Sequence, residues 1–236
     1  MKKFLKILAF VVALLVLAAG ILWYVYFRPA PPAISDADRA RLEIMPLPAK
    51  LKLKDGAFVI PQTWSIQYTA IRTARIEGAA DRFFIRLTRQ TKMNFSSKTG
   101  PQLIIDCSRE SPRYPNLQED ESYTLMVSTS QIVLKAADEY GILRGLNTLA
   151  QMVQRQGDNW VIPAVELEDQ PRYTWRGLMI DVCRHWIPKE VILRNLDAMA
   201  AVKLNVLHLH LSDYQGFRVE SRRYPRLQEQ GSEGNY

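Results

Sequence analysis

The rhythm of polar and apolar positions changes several times along this chain. Apolar residues run from 7 to 27 without a charge (ILAFVVALLVLAAGILWYVYF). At about 1.5 Å per residue such a helix covers roughly 30 Å, the depth of a bilayer's hydrocarbon core, so a transmembrane helix is expected there. The next stretch (RPAPPAISDADRA) is rich in Pro and Ala. Pro29, Pro31 and Pro32 predict an extended spacer. From Pro46 onward, period-two alternation marks strands over 50–54, 58–60, 65–68, 102–106, 123–128 and 131–136, the last two joined by a two-residue turn. Helices are predicted over 74–90 and 142–155. In the second, Leu143, Leu146, Leu149, Ala150 and Val153 form one apolar face.

After the polar junction Asp169-Gln170-Pro171-Arg172 the rhythm changes again. Residues 177–182 (GLMIDV) are nearly continuously apolar, as in a strand covered on both faces. Pro188 suits a helix start, where its missing N–H costs nothing. Ile192, Leu196, Met199 and Val202 give that helix one apolar stripe. Residues 205–211 form the next strand. A crossover of this length joins parallel neighbours and is right-handed. The chain therefore divides into a basic tail (1–6), a membrane span (7–27), a Pro/Ala-rich linker (28–45), an α+β domain (46–168) and the start of a parallel α/β unit (169–236).

Polar residues cluster where these last strands run out, the place where a parallel α/β barrel presents its site. Asp181 is followed at once by Arg184 and His185. The second strand carries His208, His210, Ser212 and Asp213. Burying such groups without partners costs several kcal/mol, so they either satisfy one another or face a ligand. A donor fork on Arg184 beside an acceptor on Asp213 suits a polyhydroxylated ligand such as a sugar. Asp181 reads equally well as a brace for the strand end or for Arg184. His208 and His210 share one strand face. With no third ligand evident they read as satisfied core histidines, and no metal is expected. Trp175 and Trp186 could stack on sugar rings but are read first as packing residues, and the charged residues of the first domain as a solvated face.

Charge and cysteine content narrow the classes. Of the net charge of +7, Lys2, Lys3 and Lys6 lie in the tail. No basic stripe is interleaved with aromatics, so nucleic acid is not an expected partner. Those lysines precede the apolar run, which places the amino terminus inside and the body on the periplasmic or extracellular side. Secretion after cleavage at Ala18-Ala19-Gly20 is the alternative. Cys107 and Cys183 have no metal-site spacing and read as two unpaired core thiols, with a disulfide between them in an oxidising compartment as the alternative.

Three segments carry a resemblance. They are Arg176-Gly177-Leu-Met-Ile-Asp181-Val-Cys-Arg184-His185, then Lys203-Leu-Asn205-Val-Leu-His208-Leu-His210-Leu-Ser-Asp213, and then Gln215-Gly216-Phe217-Arg218, with Tyr224-Pro225-Arg226-Leu227 beyond. Together they resemble family 20 glycoside hydrolases, the β-N-acetylhexosaminidases. Tyr140-Gly141-Ile142-Leu143-Arg144-Gly145-Leu146 is similar to the α+β domain that precedes the barrel in that family. The resemblance implies the fold class: an α/β chain with the first two strands of an incomplete TIM (β/α)8 barrel, preceded by an α+β domain. It also implies removal of terminal β-linked N-acetylglucosamine or N-acetylgalactosamine from the non-reducing end of glycans; the expected exported topology suits oligosaccharides derived from chitin or peptidoglycan. The mechanism implied is substrate-assisted, an exception to the two-carboxylate scheme. Arg184 matches the arginine that grips the terminal sugar's hydroxyls, and Asp213 a carboxylate supporting the centre. Asp181, His185 and His210 are candidate supports, and no cofactor is implied.

The family commonly has two aspartates after the second strand, and here Tyr214 stands in the second place. Its catalytic Glu and adjacent Asp follow a later strand and are expected beyond Tyr236. The 236-residue chain is therefore expected to be inactive alone, since a missing general acid forfeits about 10²–10⁴-fold in rate. The alternative reading is a membrane-tethered, non-catalytic module that binds a glycan or partner.

Overall fold

The computed structural model describes residues 41–214 and 216–233, with positions 16, 17, 34 and 38; for 96–102 it describes the backbone alone. Apart from positions 16 and 17, the expected tail and membrane span lie outside these residues. No helix among the described residues is long and apolar enough to cross a membrane. The chain forms two units, Met1–Ala33 and Ile34–Tyr236. Every strand among the described residues belongs to the second.

Alternation builds a mixed sheet from β1 (Lys50–Val59), β2 (Thr63–Tyr68), β3 (Ser96–Arg109), β4 (Tyr123–Val127), β5 (Gln131–Asp138), β6 (Gln154–Gln156) and β7 (Asn159–Asp169). Its order is β1-β7-β4-β5-β3-β2, with β6 paired to β7. β3 runs parallel to both β2 and β5, and the remaining pairs are antiparallel. β4 buries alternate residues, so Tyr123, Leu125 and Val127 enter the core while Thr124 and Met126 stay out. Across the outer face, the register sets Lys50 opposite Glu168 and Asp106 opposite Lys135. These pairs close at 2.7 and 3.4 Å. Exposed cross-strand pairs of this kind add only a few tenths of a kcal/mol each and mainly favour the register.

Two helices cover the inner face. α1 (Ala74–Thr91) begins where the Thr73 hydroxyl accepts from the Ile76 N–H, and it ends at Lys92 in the left-handed region (φ 61°). Its buried stripe of Ile76, Ala80, Phe83 and Leu87 follows the helical period. Trp64 on β2 lies 5.2 Å from Phe58 and 6.2 Å from Phe83, centroid to centroid, making an aromatic end to the core. α2 (Glu139–Gln151) rests on β4 and β5. It begins three residues before the expected start and stops at Gln151, so the expected helix over 142–155 is corrected. The segment after it is β6, which turns back through Gly157 (φ 59°) into β7.

β7 is not among the segments that alternation marks. Residues 161–165 are all buried, which removes the period, and Pro163 speaks against an inner strand. The sheet accommodates Pro163 where its partner β1 bulges: Pro163 faces Ala57, beside Gly56 at φ 88°. A bulge tolerates the missing N–H that a regular ladder would not.

The run Tyr140–Leu146 has a packing reason. A Cβ on Gly141 would stand 2.2 Å from the Ser122 carbonyl oxygen, and one on Gly145 2.2 Å from Leu134 Cδ1. One turn apart, the two glycines let α2 approach the sheet more closely than any side chain permits.

Beyond the sheet, β8 (Gly177–Asp181), α3 (Lys189–Ala201) and β9 (Val206–His210) form the expected strand–helix–strand unit, with β8 and β9 parallel. A short antiparallel pair follows, β10 (Ser212–Asp213) and β11 (Gly216–Phe217), and then α4 (Pro225–Gly231).

Gly141→Ala should destabilise the chain by about 1–3 kcal/mol, because the atom it meets is backbone and cannot rotate away. Chemical unfolding of the variant checks this. A midpoint equal to that of the parent would show that α2 has slack.

Candidate active site

The two parallel strands are fixed first at their amino ends, by a buried ionic network. Lys203 sits between α3 and β9 in the left-handed region (φ 63°) and is 4% exposed. Its ammonium donates to Asp169 Oδ2 at 2.7 Å and to the Tyr123 hydroxyl at 2.9 Å. The Tyr123 hydroxyl in turn donates to Asp169 at 2.8 Å and sits 2.6 Å from the Thr148 hydroxyl. Burial lowers the Lys203 pKa, with Asp169 opposing the shift, and pushes the Tyr123 phenol far above its ordinary value.

Alongside, Glu121 accepts from Arg144 Nε at 2.8 Å and from Arg176 Nη2. Arg176 also donates to the Lys203 carbonyl at 2.9 Å and the Tyr173 carbonyl at 2.6 Å. Asn205 closes the network, accepting from the Arg176 N–H at 2.9 Å and donating to the Thr174 carbonyl at 2.8 Å. Three of the sheet domain's acidic residues are therefore not a solvated face, and that expectation is corrected. Glu121, Asp138 and Glu139 are all buried, because arginines or backbone N–H groups reach each of them.

At the opposite ends of the strands the expected residues converge. The register pairs Asp181 with His210 and Met179 with His208 on one face. Arg184 stands between two carboxylates, with Nη1 2.5 Å from Asp181 Oδ2 and Nη2 2.5 Å from Asp213 Oδ2. Asp181 Oδ1 accepts the N–H groups of Cys183 at 2.9 Å and Arg184 at 3.1 Å, which folds the chain back over the strand end. His210 Nε2 lies 3.1 Å from Asp213 Oδ2. Asp213 Oδ1 accepts the Tyr214 N–H at 2.7 Å. That contact is backbone, so any non-proline residue at 214 supplies it. The Tyr214 ring itself is 90% exposed.

Electrostatics follow the contacts. The Arg184 guanidinium and the two N–H donors hold the Asp181 carboxyl down to about 2. The Tyr214 N–H lowers Asp213, helped by His210 and Arg184. Arg184 is correspondingly raised, first by its bond to Asp181. Both acids are thus ionised at any working pH, and the guanidinium is held as a fixed donor fork with its remaining N–H groups free of the strand ladder.

The structure brings together Arg184, Asp213, Asp181 and His210. His185 is exposed, and no hydrogen bond or ion pair joins it to the group. His208 is exposed too, so the reading of it as a satisfied core histidine is corrected; its ring lies 6.5 Å from that of His210. Trp175 and Trp186 are 53% and 59% exposed, so each packs on one side only, Trp175 against Gly177 and Trp186 against Arg218. Arg218, 5.8 Å from the Trp186 ring, donates to the Val182 carbonyl at 3.2 Å and the Cys183 carbonyl at 3.3 Å. Sequence reasoning did not single out Arg218 as a brace, nor Lys203, Glu121 and Asp169 as a network. The available signal was a lysine and an arginine within apolar sequence at each strand's entry. Cys107 and Cys183 are both buried thiols, as expected.

Comparison with known proteins gives these positions a family. The glycosyl hydrolase family 20 catalytic-domain model matches residues 173–236, and the family's domain 2 model matches 41–170. Human beta-hexosaminidase subunit beta is 42% identical over 142 residues, 58% of this chain and 26% of that protein. The chitobiase structure of Flavobacterium johnsoniae is 37% identical with a TM-score of 0.76, covering 84% of this chain and 31% of that one. The exo β-N-acetylglucosaminidase of Vibrio harveyi, solved with N-acetylglucosamine, is 26% identical with a TM-score of 0.68, over 81% and 29%. The chain thus spans between about a quarter and a third of the length of these relatives.

A depressed carboxyl keeps its stabilising bond from above its unfolded value of 3.8 down to the folded value of about 2. A carbon-13 NMR titration of Asp181 should therefore give a midpoint near 2, rising towards 3.8 in Arg184→Ala. A titration unmoved by that substitution would contradict the arrangement. With both halves of its described fold matched by the family's models, the chain belongs to glycoside hydrolase family 20.

Proposed function

We propose that this chain is the sugar-gripping portion of a β-N-acetylhexosaminidase, an exo-hydrolase of terminal β-linked N-acetylglucosamine or N-acetylgalactosamine. The observation that carries the reading is Arg184, clamped at 2.5 Å by acids from two adjacent strand ends. In this reading β8–α3–β9 is the first strand–helix–strand unit of a (β/α)8 barrel, and the site occupies the barrel's carboxyl-end rim. Arg184 donates to ring hydroxyls of the terminal sugar. Asp181 orients the guanidinium, and Asp213 links it to His210. Proton transfer to the leaving oxygen and orientation of the 2-acetamido group fall to carboxyl groups on a later strand, so these residues bind and align.

We further infer that residues 7–27 anchor the protein, with Lys2, Lys3 and Lys6 inside and the folded part outside. Chitin- or peptidoglycan-derived oligosaccharides would reach a site placed there. Asp213, His210 and the support by Asp181 are roles within the same proposal.

The full-length gene product should hydrolyse p-nitrophenyl N-acetyl-β-glucosaminide, and the activity should sediment with membranes. Arg184→Ala should lower kcat/KM by about 100-fold or more, since each hydrogen bond to a charged group is worth about 1.5–3 kcal/mol. An undiminished kcat/KM in that variant would remove Arg184 from the binding role. Soluble activity would remove the anchor.

A further inference from the structure

Two histidines two residues apart on a strand lack a third ligand in the sequence; the neighbouring strand end supplies two more donors beside one of them. Asp181, Cys183 and His210 each offer a ligand atom, and the three atoms lie within 4.8 Å of one another. We propose that this trio is a site for one thiophilic divalent cation of the zinc type, and that the ion competes with the Arg184 guanidinium for Asp181. The ligation stands on this geometry and does not depend on the hydrolase reading.

One oxygen, one sulfur and one nitrogen donor suit zinc, cobalt or cadmium. Magnesium and calcium seek oxygen donors alone. Three protein ligands with water in fourth place is a common open coordination. Bonds of about 2.0–2.3 Å put tetrahedral ligands about 3.5 Å apart, so the trio closes by about 1 Å through side-chain rotation.

The backbone holds the donors ready. Asp181 Oδ1 accepts the Cys183 N–H at 2.9 Å, fixing those two residues as one turn. The Val182 N–H donates to the His210 carbonyl at 3.2 Å, tying that turn to the end of β9. Asp213 lies 3.1 Å from His210 Nε2. A carboxylate behind a ligating histidine is the usual second layer of a zinc site.

Binding requires the thiolate. The Cys183 S–H bond breaks, the metal–sulfur bond forms, and the proton passes to solvent water. The thiol's contact with the His210 carbonyl at 3.5 Å is given up in exchange. Arg184 already occupies Asp181 Oδ2 at 2.5 Å, and two cations do not share that oxygen at low cost. The ion therefore releases the guanidinium from Asp181 and leaves it on Asp213 alone.

Cobalt(II) titration of the full chain tests this. One equivalent should give tetrahedral visible bands and a sulfur-to-cobalt charge-transfer band, both removed by added zinc. Cys183→Ser should lose the charge-transfer band and bind at least about tenfold more weakly. Cys107→Ser, which alters the thiol in the sheet domain, should behave as the parent. Circular dichroism confirms the fold of each variant. No charge-transfer band in the parent, or a band that survives Cys183→Ser, overturns the site. If Cys183→Ser fails to fold, cadmium-113 NMR of the unaltered chain decides: a shift in the range of one sulfur with nitrogen and oxygen ligands supports it, and an all-oxygen shift overturns it.

Discussion

The candidate site depends on a buried ion pair far from it, between Lys203 and Asp169. The two side chains are 6% and 9% exposed and 2.7 Å apart. Removing both charges from water is expensive, and the pair is sustained only because Tyr123 adds a hydrogen bond to each partner. Such a pair is weak evidence for extra stability. Its value is positional, because a buried charge can rest only where its partner is. Lys203 lies three residues before the start of β9, and Asp169 ends β7 in the sheet. Arg176, just before β8, is anchored in the same way to Glu121. The entry of each strand is therefore pinned to the sheet domain.

That pinning reaches the chemistry through the strands. Five residues at about 3.3 Å each carry the chain roughly 16 Å from the network to the opposite rim. The ladder from Gly177–Val206 to Asp181–His210 keeps both strands in register over that distance. A slip of one residue would turn Asp181 and His210 to the other face. Arg184 meets Asp181 and Asp213 because the register is held. The sheet domain thus acts as a jig for the strand ends, and Gly141 and Gly145 bring α2 close enough to the sheet to seat Arg144 on Glu121.

Much of this was legible in the chain. Alternation located β4 and β5 within two residues at their ends, and the helical period located α1. Arg184 and Asp213 stood out because charged groups after a buried parallel strand need a reason to be there. What escaped has a physical cause. β7 has no period because it is covered on both faces, and Pro163 conceals it until the β1 bulge is seen. The Lys203–Tyr123 contact joins residues 80 positions apart, and no local pattern announces such a partner. Tyr214 stands where the family commonly has a second aspartate; its backbone N–H bonds Asp213, and its ring is exposed. His208 reads from its strand position as a satisfied core histidine, yet it is exposed.

Hydrogen exchange on Lys203→Met tests the central claim most directly. The substitution leaves Asp169 buried without its partner, a loss of about 3–5 kcal/mol. Amides of β8 and β9 should lose at least about 100-fold in protection, while those of α1 and β3 keep theirs. Unchanged protection at Leu178, Ile180, Leu207 and Leu209 would contradict the account, because the strand pair would then hold its register without the sheet domain.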